Sequence, residues 1–534
     1  MSGYSQIHHS TAPIWSVLAV AVLGAASCRP PPSSAYQADG ALGGTATGDS
    51  SGSAGQSGDS SASGGSTGSG GQTHSGGTSG SGGTAGVGNG GASGGTSGSG
   101  GTRGSGDPSG SGGAGGSGGS SATVEPRDAS LPDVVVDAPP PSRGPTPSQT
   151  GVKFPFPQNR ENSRCIYPSF YRNEDVQAAY NQWKTDTVTS DGAKGFRRVK
   201  RPNDPGLEAN STVSEGIGYG MLLAVYMNDQ TLFDDLWQYE QQHLGQYGLM
   251  DWNIKADGSG PADGGVGPAT DADEDMAFAL LMADKQWGGQ GKLAKNYIDI
   301  AKDTITNVWN NEIFDYKYLK PWPTADSSTL NLSYFAPAYY KLFAKIDTKN
   351  TSNWTTTVDT MYTVLNASLN SSNGNTDNGL VPAWCDSSGK PNGGAFGLGK
   401  TAPTNYQYDS CRTPFRIGLD WCWNGEQRAQ AYVAKTSKFF NGITVAKIVD
   451  GYDLNGNPHA QYQTNASAQI QSAAFVGPAG VGAMSNAIYQ SFVNDAYAVL
   501  VSGKALVGGT YYDDSWMVLS LLMMTANFLD YTTY

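Results

Sequence analysis

The sequence predicts an all-α globular domain behind a long flexible tract, and three observations carry that expectation. Beyond residue 150, apolar residues recur at helical spacing in window after window. Runs of Val and Ile alternating with polar residues, the mark of half-buried strands, are scarce there, so no large sheet is expected. Composition also divides the 534-residue chain: about half of its 73 glycines fall before residue 150. Residues 151–534 alone have globular composition, a length that suits one large domain, a closed barrel included.

Residues 1–27 read as an export signal. "IWSVLAVAVLGAAS" is an apolar core of signal length ending in small residues, and Cys28 follows at once. That arrangement resembles a bacterial lipoprotein cleavage box with Cys28 as the lipidated residue, although Ala25 replaces the usual Leu and the leading segment lacks Lys and Arg. An ordinary secretory signal is the alternative. Either reading makes the protein exported, as a cell-surface lipoprotein or a secreted protein. Residues 28–150 form the linker. Ala38 to Ala122 is almost wholly Gly, Ser, Thr and Ala, which has nothing to bury. Val124 to Gln149 is Pro-rich and stiffer.

The first strong window of the globular part is "SEGIGYGMLLAVYMN", with Ser214 as a candidate N-cap. In "ATDADEDMAFALLMADKQW", residues 269–287, Met276, Leu280, Ala283 and Trp287 share one face. Further windows lie near 291–309, 331–345, 353–369, 413–423, 426–440, 483–499 and 513–530, the last apolar nearly all round and so expected to be buried between helices. Long loops rich in Gly, Asp, Asn, Trp and Tyr separate them, among them "GLMDWNIKADGSGPADGGVGP". Aromatic rings beside carboxylates suit sugars, whose C–H faces stack on rings and whose hydroxyls bond polar groups. The same rings could equally close off the core.

A net charge of −13 without any Lys/Arg cluster excludes nucleic acid and anionic membrane surfaces as partners, and leaves the membrane only through Cys28. Cys165, Cys385, Cys411 and Cys422 lack paired C-x-x-C spacing, so no zinc site is expected. One or two disulfides fit an exported protein, with the pairing left open.

Three clusters offer chemistry. Glu215 opens a helix and is followed by Gly216, Gly218 and Gly220. Glycines weaken a helix, so three of them imply close approach by a neighbour. An acid beside Ile217 and Tyr219 could be desolvated and held protonated as a general acid, or could simply favour the helix dipole. Asp271, Asp273, Glu274 and Asp275 crowd the start of the next helix, where one carboxylate can cap but four are unexplained. Strict EF-loop spacing for calcium is absent. In "NYQYDSCRTPFRIGLDW", Asp409 stands three residues before Arg412, which would keep it ionised as a base or merely pair with it.

"ATDADEDMAFALLMADKQW" resembles the signature of glycoside hydrolase family 8, A-[ST]-D-[AG]-D-x-x-[IM]-A-x-[SA] continuing to A-x-x-x-W, with each constrained position met through Ala283 and Trp287. "SEGIGYGM" and "YDSCRTP" resemble that family's other two blocks, in the same order. The resemblance implies an (α/α)6 barrel catalytic domain over residues 151–534, acting as an inverting endo-hydrolase of β-1,4-linked glycans without metal or organic cofactor. By the same resemblance Glu215 is the proton donor and Asp409 the general base. Asp271 binds the distorted sugar, Tyr334 of "LSYFAPAYY" holds the attacking water, and Arg412 orients Asp409. Trp252, Trp322 and Tyr512 are candidates for sugar stacking by their loop context, and Asp273 for substrate binding. The blocks look closer to the family's cellulases than to its xylanases, so cellulose or mixed-linkage β-glucan is the expected substrate of a monomeric enzyme. Xylan and chitosan are the alternatives within the family. A non-catalytic glycan-binding lipoprotein would lack Glu215 or Asp409, and a lyase would want a basic cleft; the sequence has both acids and no such basic balance.

Overall fold

The computed structural model describes residues 151–202, 208–392, 404–459, 471–503, 506 and 510–534. The expected export signal, Cys28 and the linker 28–150 lie outside the described residues.

Twelve α-helices make up the described part: α1 (Asn173–Thr187), α2 (Ser214–Tyr226), α3 (Gln230–Gln241), α4 (Thr270–Gln286), α5 (Tyr297–Glu312), α6 (Pro337–Ile346), α7 (Thr351–Ala367), α8 (Thr413–Asn424), α9 (Gln427–Ile443), α10 (Ala473–Ala483), α11 (Gln490–Ser502) and α12 (Tyr511–Met524). They alternate between two rings. The even-numbered helices form the inner one, where α12 packs on α2, α2 on α4, α6 on α8, α8 on α10 and α10 on α12. Phe278 of α4 closes the remaining step, stacked on Tyr339 of α6 with ring centroids 3.9 Å apart. Each odd helix backs an inner one: α1 on α12, α3 on α2, α5 on α4, α7 on α6, α9 on α8, α11 on α10. This is the (α/α)6 barrel.

Sequence accounts for which helix takes which ring. An inner helix is covered on every side and must be apolar or paired all round. In α2 every residue but Glu215 is buried, and in α10 every residue is. An outer helix needs only one apolar stripe: α5 buries Tyr297, Ile300, Ala301, Thr304, Ile305 and Val308, spaced three and four apart. The only sheets among the described residues are four two-stranded antiparallel ribbons of two residues per strand: β1 (Val188–Thr189) with β2 (Arg198–Val199), β3 (Thr212–Val213) with β4 (Asn253–Ile254), β5 (Ile313–Phe314) with β6 (Tyr318–Leu319), and β7 (Leu330–Asn331) with β8 (Trp384–Cys385). A disulfide joins Cys165 to Cys422 in the last turn of α8, while Cys385 and Cys411 are buried thiols.

The expected windows differ from the helices at their edges for local reasons. The 291–309 window begins as helix only at Tyr297, because Gly288, Gly289 and Gly291 take left-handed turns before it. The 331–345 window breaks into a 3-10 turn, Leu332–Tyr334, and α6 with Pro337 in its first turn. Helices α1, α3 and α10 fall outside the expected windows.

Candidate active site

The inner helices begin at one end of the barrel, and the chemistry gathers there. Glu215 is the second residue of α2 and Asp271 the second of α4. Tyr334 ends the turn before α6, Asp409 and Arg412 lie just before α8, and Tyr511 opens α12. Ser472, before α10, donates to Asp513 of α12 at 2.6 Å, which brings that pair of starts together. Helix N-termini concentrate unpaired N–H groups and positive potential, which suits a site full of carboxylates.

Short ribbons set three of these residues in place. β3 pairs with β4 immediately before Ser214 and Glu215. β7 pairs with β8 immediately before the turn that carries Ser333 and Tyr334. Tyr406 bridges to Tyr452 three residues before Asp409. After each outer partner the chain turns back at a proline: Ile254 bridges to Pro261, Cys385 to Pro391 and Tyr452 to Pro458. The segments "DSSGKP" and "DLNGNP" share one turn pattern and are the sequence signal of this repeat.

Arg412 is the hub, 1% exposed. Its Nη1 donates to Asp271 Oδ2 at 2.6 Å, to the Tyr219 hydroxyl at 3.1 Å, and to Glu215 Oε2. Its Nε donates to Ser333 Oγ at 3.0 Å, and its guanidinium lies over the Tyr334 ring, 5.1 Å from the centroid. Asp409 is its loosest partner, 3.9 Å from Nη2. Asp409 is held mainly by neutral donors, Gln407 Nε2 at 3.2 Å and Trp384 Nε1 at 3.4 Å.

One guanidinium therefore faces three acids, Asp271 and Asp409 buried and Glu215 partly so. Burial pushes the Glu215 carboxyl up to about 8; Arg412 opposes the shift, and the neighbouring Asp271 adds to it. Burial pushes Asp409 up to about 6, held back by Arg412 and Gln407. The expectation that Arg412 alone keeps Asp409 ionised is thus modified, because the arginine is committed to Glu215 and Asp271. Near neutral pH the arrangement holds one acid protonated and another ionised, which permits proton donation and proton abstraction in one cleft.

The structure brings Glu215, Asp271, Asp409, Arg412 and Tyr334 together, but not every expected residue. Asp273 is fully buried with its carboxyl against Glu312 of α5, so it does not meet a substrate. Successive helical residues turn about 100°, and two steps from Asp271 carry Asp273 to the far side of α4. Glu274 and Asp275 meet Arg416, Glu274 at 3.0 Å and Asp275 bidentately at 2.9 and 2.8 Å. Tyr512, 1% exposed, offers no face for stacking; its hydroxyl donates to the Tyr408 carbonyl at 2.8 Å. Trp252 is buried beneath the start of α2, its indole bonded to the Gly264 carbonyl. Trp322 is only partly buried and lies 6.0 Å from Trp384, ring to ring.

Four contributors escaped the sequence reading: Trp384, Gln407, Ser333 and Tyr511. The Tyr511 hydroxyl donates to Glu215 Oε1 at 2.7 Å, across 296 positions of sequence. The glycines after Glu215 do mark close approach. A Cβ on Gly216 would meet the Tyr511 ring at 3.3 Å, on Gly218 the Ala272 carbonyl oxygen of α4 at 3.1 Å, and on Gly220 Leu236 of α3 at 2.8 Å.

Comparison with known proteins identifies the family and agrees with the fold. Residues 154–526 match the sequence profile described as glycosyl hydrolases family 8. Endoglucanase A of Acetivibrio thermocellus is 38% identical over 359 residues, 66% of this chain and 69% of the relative. Endoglucanase 2 of Ruminiclostridium josui is 35% identical over 396 residues, 72% of this chain and 80% of the relative. The apo structure of a β-1,3-1,4-glucanase from Paenibacillus sp. X4 superposes with a TM-score of 0.62 at 28% identity, covering 70% of this chain and 99% of that one. At 24% identity, over 68% of this chain and 95% of the relative, stands a reducing-end xylose-releasing exo-oligoxylanase of Paenibacillus barcinonensis.

Proposed function

The chain belongs to the family 8 glycosyl hydrolases, and we propose that it cuts β-1,4-linked glucan within the polymer, with inversion at the anomeric carbon. The observation that carries this reading is the geometry around Arg412, which bonds Glu215 and Asp271 but stays 3.9 Å from Asp409; burial there pushes Glu215 up to about 8 and Asp409 only to about 6. Single displacement needs that pair, an acid on the leaving-group side and a base on the water side, with carboxyls roughly 6.5–9.5 Å apart so that a water fits. Glu215 gives its proton to the glycosidic oxygen as the bond to C1 breaks. Water attacks C1 from the opposite face and loses its proton to Asp409. Asp271 accepts hydrogen bonds from the sugar and faces the positive charge of the oxocarbenium-like transition state. Tyr334, packed under Arg412, lines the path of the water.

Cellulose or mixed-linkage β-glucan is the substrate this reading favours. The endoglucanase relatives support it, as does an acidic chain without the basic patch an anionic polymer would want. A polymer of that size also suits an exported enzyme tethered through residues 28–150 to a lipid at Cys28.

Time-resolved proton NMR of cellohexaose with the full chain tests the proposal. Early α-anomeric reducing ends are expected. Early β-anomer would mean retention and remove the roles given to Glu215 and Asp409. No cleavage of cellohexaose, with turnover of xylan or chitosan, would overturn the substrate assignment.

A further inference from the structure

We infer that Tyr511 is the positioning residue of the proton donor: by donating to Oε1 of Glu215 it holds that carboxyl in one orientation and favours its ionised form. The inference rests on Glu215 being that donor. A carboxyl presents two oxygens, each able to accept. The two oxygens of Glu215 meet different partners. Oε1 accepts from the Tyr511 hydroxyl at 2.7 Å, whereas Oε2 accepts from Nη1 of Arg412. Both oxygens accept, so the carboxyl is fixed between a neutral donor and a charged one.

The phenol is built into this position. Tyr511 is the first residue of α12, whose start is capped by Thr510 accepting from Asp513 N–H. Its ring lies 6.0 Å from the Arg201 guanidinium, and a Cβ on Gly216 would meet it at 3.3 Å and Val199 at 3.2 Å.

The test is the pH dependence of kcat/KM for the full chain on a soluble mixed-linkage β-glucan, which reports the free enzyme's acid and base. A donor to the ionised carboxylate lowers its pKa, so removing the donor raises it. Tyr511→Phe should move the alkaline limb, near 8 in the parent, upward by about 0.5–1 unit. It should leave the acidic limb of Asp409 in place, and lower kcat about tenfold while KM stays within about twofold. In a Glu215→Gln background, assayed on an aryl cellobioside whose leaving group needs little protonation, Tyr511→Phe should cost less than about twofold, because its partner's proton is gone. An alkaline limb that stays or moves down, a loss confined to KM, or an equal loss in both backgrounds overturns the inference. If Tyr511→Phe does not fold, Gly216→Ala crowds the same ring and should shift the same limb upward; an unmoved limb there counts equally against it. Near-normal turnover of Glu215→Gln on β-glucan would instead remove the acid assignment itself.

Discussion

Arg412 and Arg416 stand four residues apart, one turn, and face acids of α4 that are also four apart, Asp271 and Asp275. Both arginines are buried and both are outnumbered. Arg412 meets Glu215, Asp271 and Asp409, and Arg416 meets Glu274 and Asp275. A guanidinium cannot neutralise two or three desolvated carboxylates, so each layer retains a proton. The layers differ in where that proton sits. In the upper one it belongs to Glu215, whose side chain is 12% exposed at the mouth of the barrel. In the lower one burial drives Glu274, fully enclosed, well above the carboxylate range. One pairing pattern thus yields transferable acidity at the surface and fixed structure a turn below.

Breaking the lower layer should have the largest effect on stability. Arg416→Met strands Glu274 and Asp275 without their cation, and removing one partner of a buried ion group costs about 3–5 kcal/mol. Urea denaturation should register that loss. Adding Glu274→Gln and Asp275→Asn should restore most of it, because neutral groups of the same shape have no charge to desolvate. A single variant within about 1 kcal/mol of the parent would mean that the lower layer is not under ionic strain.

The upper layer should respond in rate rather than in stability. Glu215→Gln keeps the shape and removes the proton, so kcat on β-glucan should fall by about 10²–10⁴-fold. Stability should hold or rise, since a buried acid facing Asp271 is gone. A variant that lost its fold along with its activity would erase the distinction between the two layers.

The contrast also separates what could be read in the sequence from what could not. Glu215, Asp271, Asp409 and Arg412 sit in contiguous blocks at helix starts, where a short motif fixes residue type and position together. Tyr511 reaches Glu215 only through closure of the barrel, and Trp384 reaches Asp409 across 25 positions of the connection between α7 and α8, so no short motif contains either contact. Among the helices, α10 escaped because "AAFVGPAGVGA" has three glycines and a proline, which intrinsic propensity reads as a loop. Packing overrides it: a Cβ on Gly477 would lie 2.3 Å from Ser520 Oγ, and one on Gly480 2.2 Å from Met524 Cε, both on α12. The glycines are there so that two inner helices can touch. Asp273 was misread for the opposite reason. The signature runs through it, but a motif does not say which way around the helix each acid points.

That third direction from α4 supplies the smallest effect. Asp273 and Glu312 face each other in the core behind the site, and burial raises both, Glu312 to about 8. Two buried acceptors facing each other hold together only by sharing a proton. The folded protein therefore keeps a proton that the unfolded chain releases near its ordinary value of 4.5. Stability from this pair is full below about 4.5 and declines as pH rises toward about 8. Glu312→Gln replaces the shared proton with a permanent N–H donor to Asp273, which does not titrate away. Thermal or urea unfolding measured from pH 5 to 8 should show little difference at the acidic end and a gain on the order of 2 kcal/mol for the variant at the basic end. Turnover should change less than about twofold, because the pair lies on the side of α4 turned away from Arg412. Parallel stability curves for variant and parent would mean that the pair does not hold its proton across this range, and a large loss of turnover would return Asp273 and its partner to the active site.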